Sequence, residues 1–135
     1  MAGSTCRRDP GGALVTWALT FDYPSPPITA NQRHHWRKKA ALTKQVRAAT
    51  SLLAKTAGVP AMARCEVSLI WFVSTKHRRD ADNVVPTLKA MCDGLVDAGV
   101  VPDDTPAEMV KHMPEVVYLG PGKKPYMQLA IEELT

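Results

Sequence analysis

Val15, Trp17, Leu19, Phe21 and Tyr23 are apolar, and Thr16, Ala18, Thr20 and Asp22 intervene. This period of two is that of a half-buried strand. Pro24, Pro26 and Pro27 end it, because proline has no N–H for a ladder and biases the residue before it toward extended backbone. Residues 33–57 contain neither proline nor glycine, and Leu42, Val46, Ala49 and Leu53 recur at helical spacing. A long amphipathic helix is predicted there. Gly58, with Pro60 just beyond, closes it. Next, Val67, Leu69, Trp71 and Val73 alternate with Glu66, Ser68, Ile70 and Phe72. Such near-continuous apolarity predicts a central strand covered on both faces.

A second helix is expected over about residues 84–98, with Val84, Leu88, Met91, Cys92 and Leu95 turned inward. Asp82 or Asn83 suits its cap, Pro86 falls in the first turn, and Gly99 supplies the stop. The remainder reads as a hairpin, with strands over about 108–118 and 126–134 and a turn at 120–125. Residues 1–12 hold almost nothing apolar and are expected to form a flexible arm, leaving 13–135 as one domain. The order β-α-β-α-β-β predicts an α+β fold, a single mixed sheet with two main helices packed on it.

At 135 residues, 45% of them hydrophobic, the chain has material for one core. Seventeen Lys and Arg against thirteen Asp and Glu give a net charge of +4, a mild bias toward polyanionic partners. Cys6, Cys65 and Cys92 form no Cys-x-x-Cys pair. That argues against a disulfide framework or a zinc knuckle and points to a reducing, cytoplasmic setting. No apolar run approaches the roughly 20 residues of a membrane helix, so neither a membrane span nor a secretory leader is expected.

The densest chemistry lies in Arg78-Arg79-Asp80-Ala81-Asp82-Asn83. If the chain stays extended beyond Val73, Asp80 and Asp82 share a face. Like charges so close repel unless a proton or cation is shared, an arrangement suited to a hard ion such as Mg²⁺. The plainer alternative leaves Asp80 solvated and Asp82 capping the helix. Lys89 follows Asp82 by seven residues and Asp93 follows Lys89 by four, which places all three along one side of the helix. Lys89 is then either a phosphate-binding cation over the carboxylates or half of an exposed ion pair. Asp103 and Asp104, reached through Gly99-Val100-Val101-Pro102, are a third carboxylate source or an ordinary turn.

The run RRDADN…LKAMCDGLVDAGVVPDD resembles the RusA-type Holliday-junction resolvases, Mg²⁺-dependent endodeoxyribonucleases of bacteria and their phages. ITANQRHHWRKKA, with Asn31 and Arg33 after the proline-rich turn, is similar to that family's N-terminal segment. The resemblance spans most of the chain from the first strand to Asp104. It implies Asp80, Asp82 and Asp104 as catalytic carboxylates holding Mg²⁺, with Mn²⁺ as a substitute, and Lys89 as the catalytic lysine. Asp93 matches a recurring helix acid. Val84-Val85-Pro86 adds about three residues before Lys89 relative to the short form of the family, nearly one helical turn. A homodimer acting on a four-way DNA junction is also implied only by the resemblance.

Arg33, Arg37 and Lys38, and then Lys76, Arg78 and Arg79, form two basic patches that suit a DNA backbone. The four histidines lack zinc spacing, the GPGKKP loop lacks the pattern of a P-loop, and Cys92 has no adjacent base. Trp17 and Trp71 read as core packing. The alternatives to a junction resolvase are a nuclease acting on forks or flaps, and a non-catalytic nucleic-acid-binding module whose acids only cap and solvate.

Overall fold

The computed structural model describes residues 3–8, 15–31 and 35–134. Strand β1 (Gly3–Arg8) is followed by β2 (Val15–Phe21), helix α1 (Trp36–Ala57) and strand β3 (Cys65–Val73). A 3-10 turn (Ala81–Val84) leads directly into helix α2 (Val85–Asp97), and strands β4 (Met109–Lys111), β5 (Glu115–Tyr118) and β6 (Tyr126–Glu133) complete the fold. It is α+β, one mixed sheet with two helices, as the pattern of the chain predicts. Among the described residues no helix is long and apolar enough to cross a membrane.

The strand order is β1-β2-β6-β3-β4, with β5 pairing β3 as well. β6 runs antiparallel to both β2 and β3 and fills the gap between them. Register then aligns Leu19, Leu129 and Leu69 across three strands, with Trp17, Ile131 and Val67 in the next row. Their alternation puts these apolar side chains on one face, where all six are buried. Val46, Thr50 and Ala54 of α1 and Leu88, Met91, Cys92 and Leu95 of α2 are buried with them. The strand face that carries Ser68, Ile70 and Phe72 is only half-buried, so β3 is central but not covered equally on its two sides.

Two expectations need correction. The segment expected to be a flexible arm contains β1, which pairs antiparallel with β2 from Gly3 opposite Thr20 to Arg8 opposite Val15. An edge strand can be held by its backbone ladder alone, so the apolar period that marks a strand in sequence need not appear. The final hairpin is also absent. The stretch expected as one strand is interrupted by Pro114, and its two parts, β4 and β5, lie in parallel along the same edge of β3. α2 is the crossover that parallel pairing requires. The 120–125 loop then carries the chain across the sheet to the other edge of β3.

The helices meet closely. A Cβ on Gly94 would lie 2.5 Å from the Arg47 carbonyl oxygen and 2.7 Å from Thr50 Cβ. On the rim of this crossing Arg47 clamps Asp97 with two N–H donors, Nη2 at 2.8 Å and Nε, which holds the Asp97 carboxyl below its ordinary value.

Candidate active site

β3 delivers the chain to a bend at residues 74–79, and Asp80 continues it in extended backbone (φ −98°, ψ 127°). Its carbonyl accepts from the Asn83 N–H at 3.1 Å, which winds the next residues into the 3-10 turn. Asp80 and Asp82 therefore lie on one turn rather than along an extended strand. The residue at the N-cap of α2 is Val84, which offers no side-chain cap, and the Asp80 carboxylate makes no cap hydrogen bond either. Neither of the expected caps, Asp82 or Asn83, fills that position. Asp80 has a loose ion pair with Arg78 at 3.9 Å. Asp82 is exposed, and no hydrogen bond or ion pair engages its carboxylate among the described residues.

A cleft of about 390 Å³ opens beside Asp80, walled by the proline-rich loop through Thr29 and Asn31, by Trp71, and by Arg78 and Arg79. The loop is pinned to the helix start. Thr87 Oγ1, fully buried, donates to the Ile28 carbonyl at 2.6 Å and accepts from the Ile28 N–H at 3.2 Å. Ala30 N–H reaches the Asn83 carbonyl at 3.3 Å. Thr87→Val preserves shape but leaves both backbone groups of Ile28 buried without partners, at a cost of about 1–3 kcal/mol. A lowered urea midpoint together with faster hydrogen exchange at the Ile28 amide is the expected result; unchanged exchange would mean that the loop is held elsewhere.

Trp71, expected as plain core packing, is half-buried and works on this cleft. Its Nε1–H donates to the Pro24 carbonyl at 3.0 Å, and the Arg79 guanidinium lies over its ring at 5.1 Å. Arg79 also donates through Nη1 to the carbonyls of Thr75 and His77 at 3.0 and 3.1 Å, and through Nη2 to Thr75 Oγ1 at 2.6 Å. Much of its donor capacity thus goes to folding the bend. Arg78, by contrast, is almost fully exposed. Lys76 lies over the Tyr118 ring at 5.0 Å.

Further along α2, Lys89 Nζ donates to Asp93 Oδ1 at 2.9 Å and, more closely still, to Asp104 Oδ2. Lys111 Nζ from β4 reaches the same Asp104 oxygen at 3.1 Å. The hydrogen bonds from Lys89 and then Lys111 hold the Asp104 carboxyl far below the usual carboxylate range. Reciprocally, Asp104 and then Asp93 hold the Lys89 ammonium well above its ordinary value. Asp103 accepts from the Asp104 N–H at 2.8 Å, fixing the turn that presents it.

The two carboxylates on the 3-10 turn have the donor chemistry of an Mg²⁺ site, since that ion is commonly held by one or two carboxylates plus water and phosphate. Asp104 does not join them here. Among the described residues no three His, Cys, Asp or Glu side chains are gathered as metal ligands.

Arg37 and Lys38 are exposed in the first turn of α1, while Arg33 lies outside the described residues. Lys111 escapes a sequence reading because a single lysine in a three-residue strand carries no pattern; only its parallel pairing with β3 brings it to Asp104. Cys92 is fully buried, and burial pushes its thiol up to about 12, the environment of a packing cysteine rather than of an activated thiolate.

No family model matches the chain. It is similar to a protein of Xylella fastidiosa (strain Temecula1 / ATCC 700964) described as an uncharacterized protein, 29% identical over an alignment of 92 residues that covers 64% of this chain. The match spans 60% of that relative's length.

Proposed function

We propose that the protein is a Mg²⁺-dependent, structure-selective DNA endonuclease that resolves four-way junctions as a homodimer. The observation that carries this reading is the employment of the acids. Asp80 lines a basic-rimmed cleft, Asp82 follows it on the same turn, and neither caps the helix that follows. Carboxylates this exposed, with no cap to hold, add little to stability, whereas a phosphodiester hydrolase needs carboxylates to hold its metal ion. The RRDADN and Lys89…Asp104 motifs and their resemblance to resolvases supply the substrate class.

Asp80 and Asp82 would hold the ion. When bound, Mg²⁺ supplies a more acidic water and neutralises charge on the phosphate. The protein's own groups do the rest. Lys89, kept protonated by Asp104 and then Asp93, offers a permanent cation to a phosphate oxygen. Arg78 is free to bind an adjacent phosphate, and Arg79 fixes the bend that presents Asp80. Asp104 acts here as the anchor that orients Lys89.

A second reading has an observation of its own. The absence of a three-carboxylate group among the described residues, together with a strongly basic α1, favours a nucleic-acid-binding module without catalysis. Magnesium separates the two. Incubated with a labelled four-way junction, the protein should leave paired nicks with Mg²⁺ or Mn²⁺ and none in chelator, with linear duplex uncut. Binding that Mg²⁺ only weakens, with no nick at any concentration, would establish the binding module instead. Cleavage of forks or flaps in preference to junctions would retain the chemistry and move the substrate.

A further inference from the structure

We propose that Trp36 is a stacking platform for an unpaired nucleobase in the DNA bound by this chain. Trp36 opens α1 and is 68% exposed, the most exposed of the large apolar side chains among the described residues. A tryptophan that contributes so little to the core is costly to leave in water unless something covers it. Its neighbours indicate what does. The Arg37 guanidinium lies 5.1 Å from the Trp36 ring centre, and the His35 ring lies beside it at 5.6 Å.

The helix that carries it contains no Asp or Glu at all, but holds Arg37, Lys38, Lys39, Lys44, Arg47 and Lys55. Arg47 is neutralised by Asp97. Lys39 and Lys44 flank a shallow hollow of about 620 Å³ that runs from Trp36 past Ala40 and Thr43 to Arg47. An aromatic face with lysines along both sides and no acid on its helix matches the chemistry of single-stranded DNA, bases to stack and phosphates to neutralise. A protein surface would need acidic complements, and double-stranded DNA hides its base faces.

Position supports the assignment. Asn31 lines the cleft beside Asp80, and the five residues from there to Trp36 span at most about 18 Å even when fully extended. A strand whose backbone passes the cleft is therefore within reach of Trp36. At a branch point, where pairing is interrupted, such a base is available at low cost.

The inference rests on the DNA-binding side of the proposed function, and its test reads binding in chelator, where cleavage plays no part. Affinities of native protein, Trp36→Ala and Trp36→Phe are measured for an oligothymidylate and for a blunt duplex of equal phosphate number, at two salt concentrations. Trp36→Ala should weaken oligothymidylate binding about 10-fold at both salts, leave duplex binding unchanged, and be restored largely by Trp36→Phe. A loss equal on both DNAs, or no loss on either, overturns the platform while leaving DNA binding intact; failure of the native protein to bind either DNA overturns the parent reading as well. Sedimentation of the same variants covers another occupant: a fall in mass with Trp36→Ala would show that a second copy of the chain covers this face, and would also overturn the platform.

Discussion

Gly94→Ala should destabilise the protein by about 2 kcal/mol, although the same change in an exposed helix would stabilise it by up to about 1 kcal/mol. The added methyl would sit 2.5 Å from the Arg47 carbonyl oxygen and 2.7 Å from Thr50 Cβ, distances that real Cβ atoms do not occupy. One contact is backbone and the other is a buried, β-branched residue whose hydroxyl donates to the Val46 carbonyl at 2.8 Å. Neither can swing aside, so α1 and α2 must part. Their separation would open the layer that covers the sheet and strain the Arg47–Asp97 clamp. For a domain of this size the melting midpoint should fall by about 8 °C. An unchanged or higher midpoint would show that the helices cross elsewhere.

The second large effect is on chemistry. Asp80→Asn and Asp82→Asn should each lower the rate of junction nicking by at least about 10³-fold, since each removes a charge that a Mg²⁺ site needs, an effect of several kcal/mol on the barrier. Stability should stay within about 0.5 kcal/mol of the native value, because neither carboxylate holds a cap and the single contact of Asp80 with Arg78 is long and exposed. Junction affinity in chelator should be unchanged or slightly tighter, as a negative charge leaves a phosphate site. Cleavage that survives both substitutions would remove these residues from the active site. A parallel loss of binding and cleavage would assign them to the DNA contact alone.

Much of the frame was legible in the chain because it is written in local patterns. β2, α1, β3 and α2 each carry their own period, and Gly58 and Gly99 both adopt the positive φ of a helix stop, 71° and 80°. The pairing of the later strands was not legible. Residues 108–118 and 126–134 look like hairpin arms, but which edge each joins depends on α2 crossing the sheet, a property of the assembled layers. β1 announces itself even less, for its partner is a backbone.

The site divides in the same way. Of the two alternatives for Lys89, the ion pair with Asp93 is present, while the meeting of Asp104 with Lys89 was not among the expectations, which made Asp104 a third carboxylate or part of a turn. What the spacing could not show is that Lys111 would arrive from β4 on the same oxygen, so that Asp104 is balanced by two ammonium groups. The shared face expected for Asp80 and Asp82 assumed extended backbone, and the 3-10 turn that replaces it was not legible, because it is set by a backbone hydrogen bond from Asn83. Thr87 and Trp71 position the cleft from distant points of the chain and leave no local mark.

The placing of β6 carries a consequence for how the molecule assembles. Among the described residues β2 and β3 present inner edges that β6 alone joins, and the partner of Thr16 is Glu132. Until that late strand arrives, a chain under synthesis holds two unsatisfied ladders facing a vacant slot. Productive folding therefore rests on long loop closure, and the waiting species is the one most exposed to pairing with a neighbour's β6. The strand that closes the sheet is also the point at which two nascent copies would most readily exchange segments.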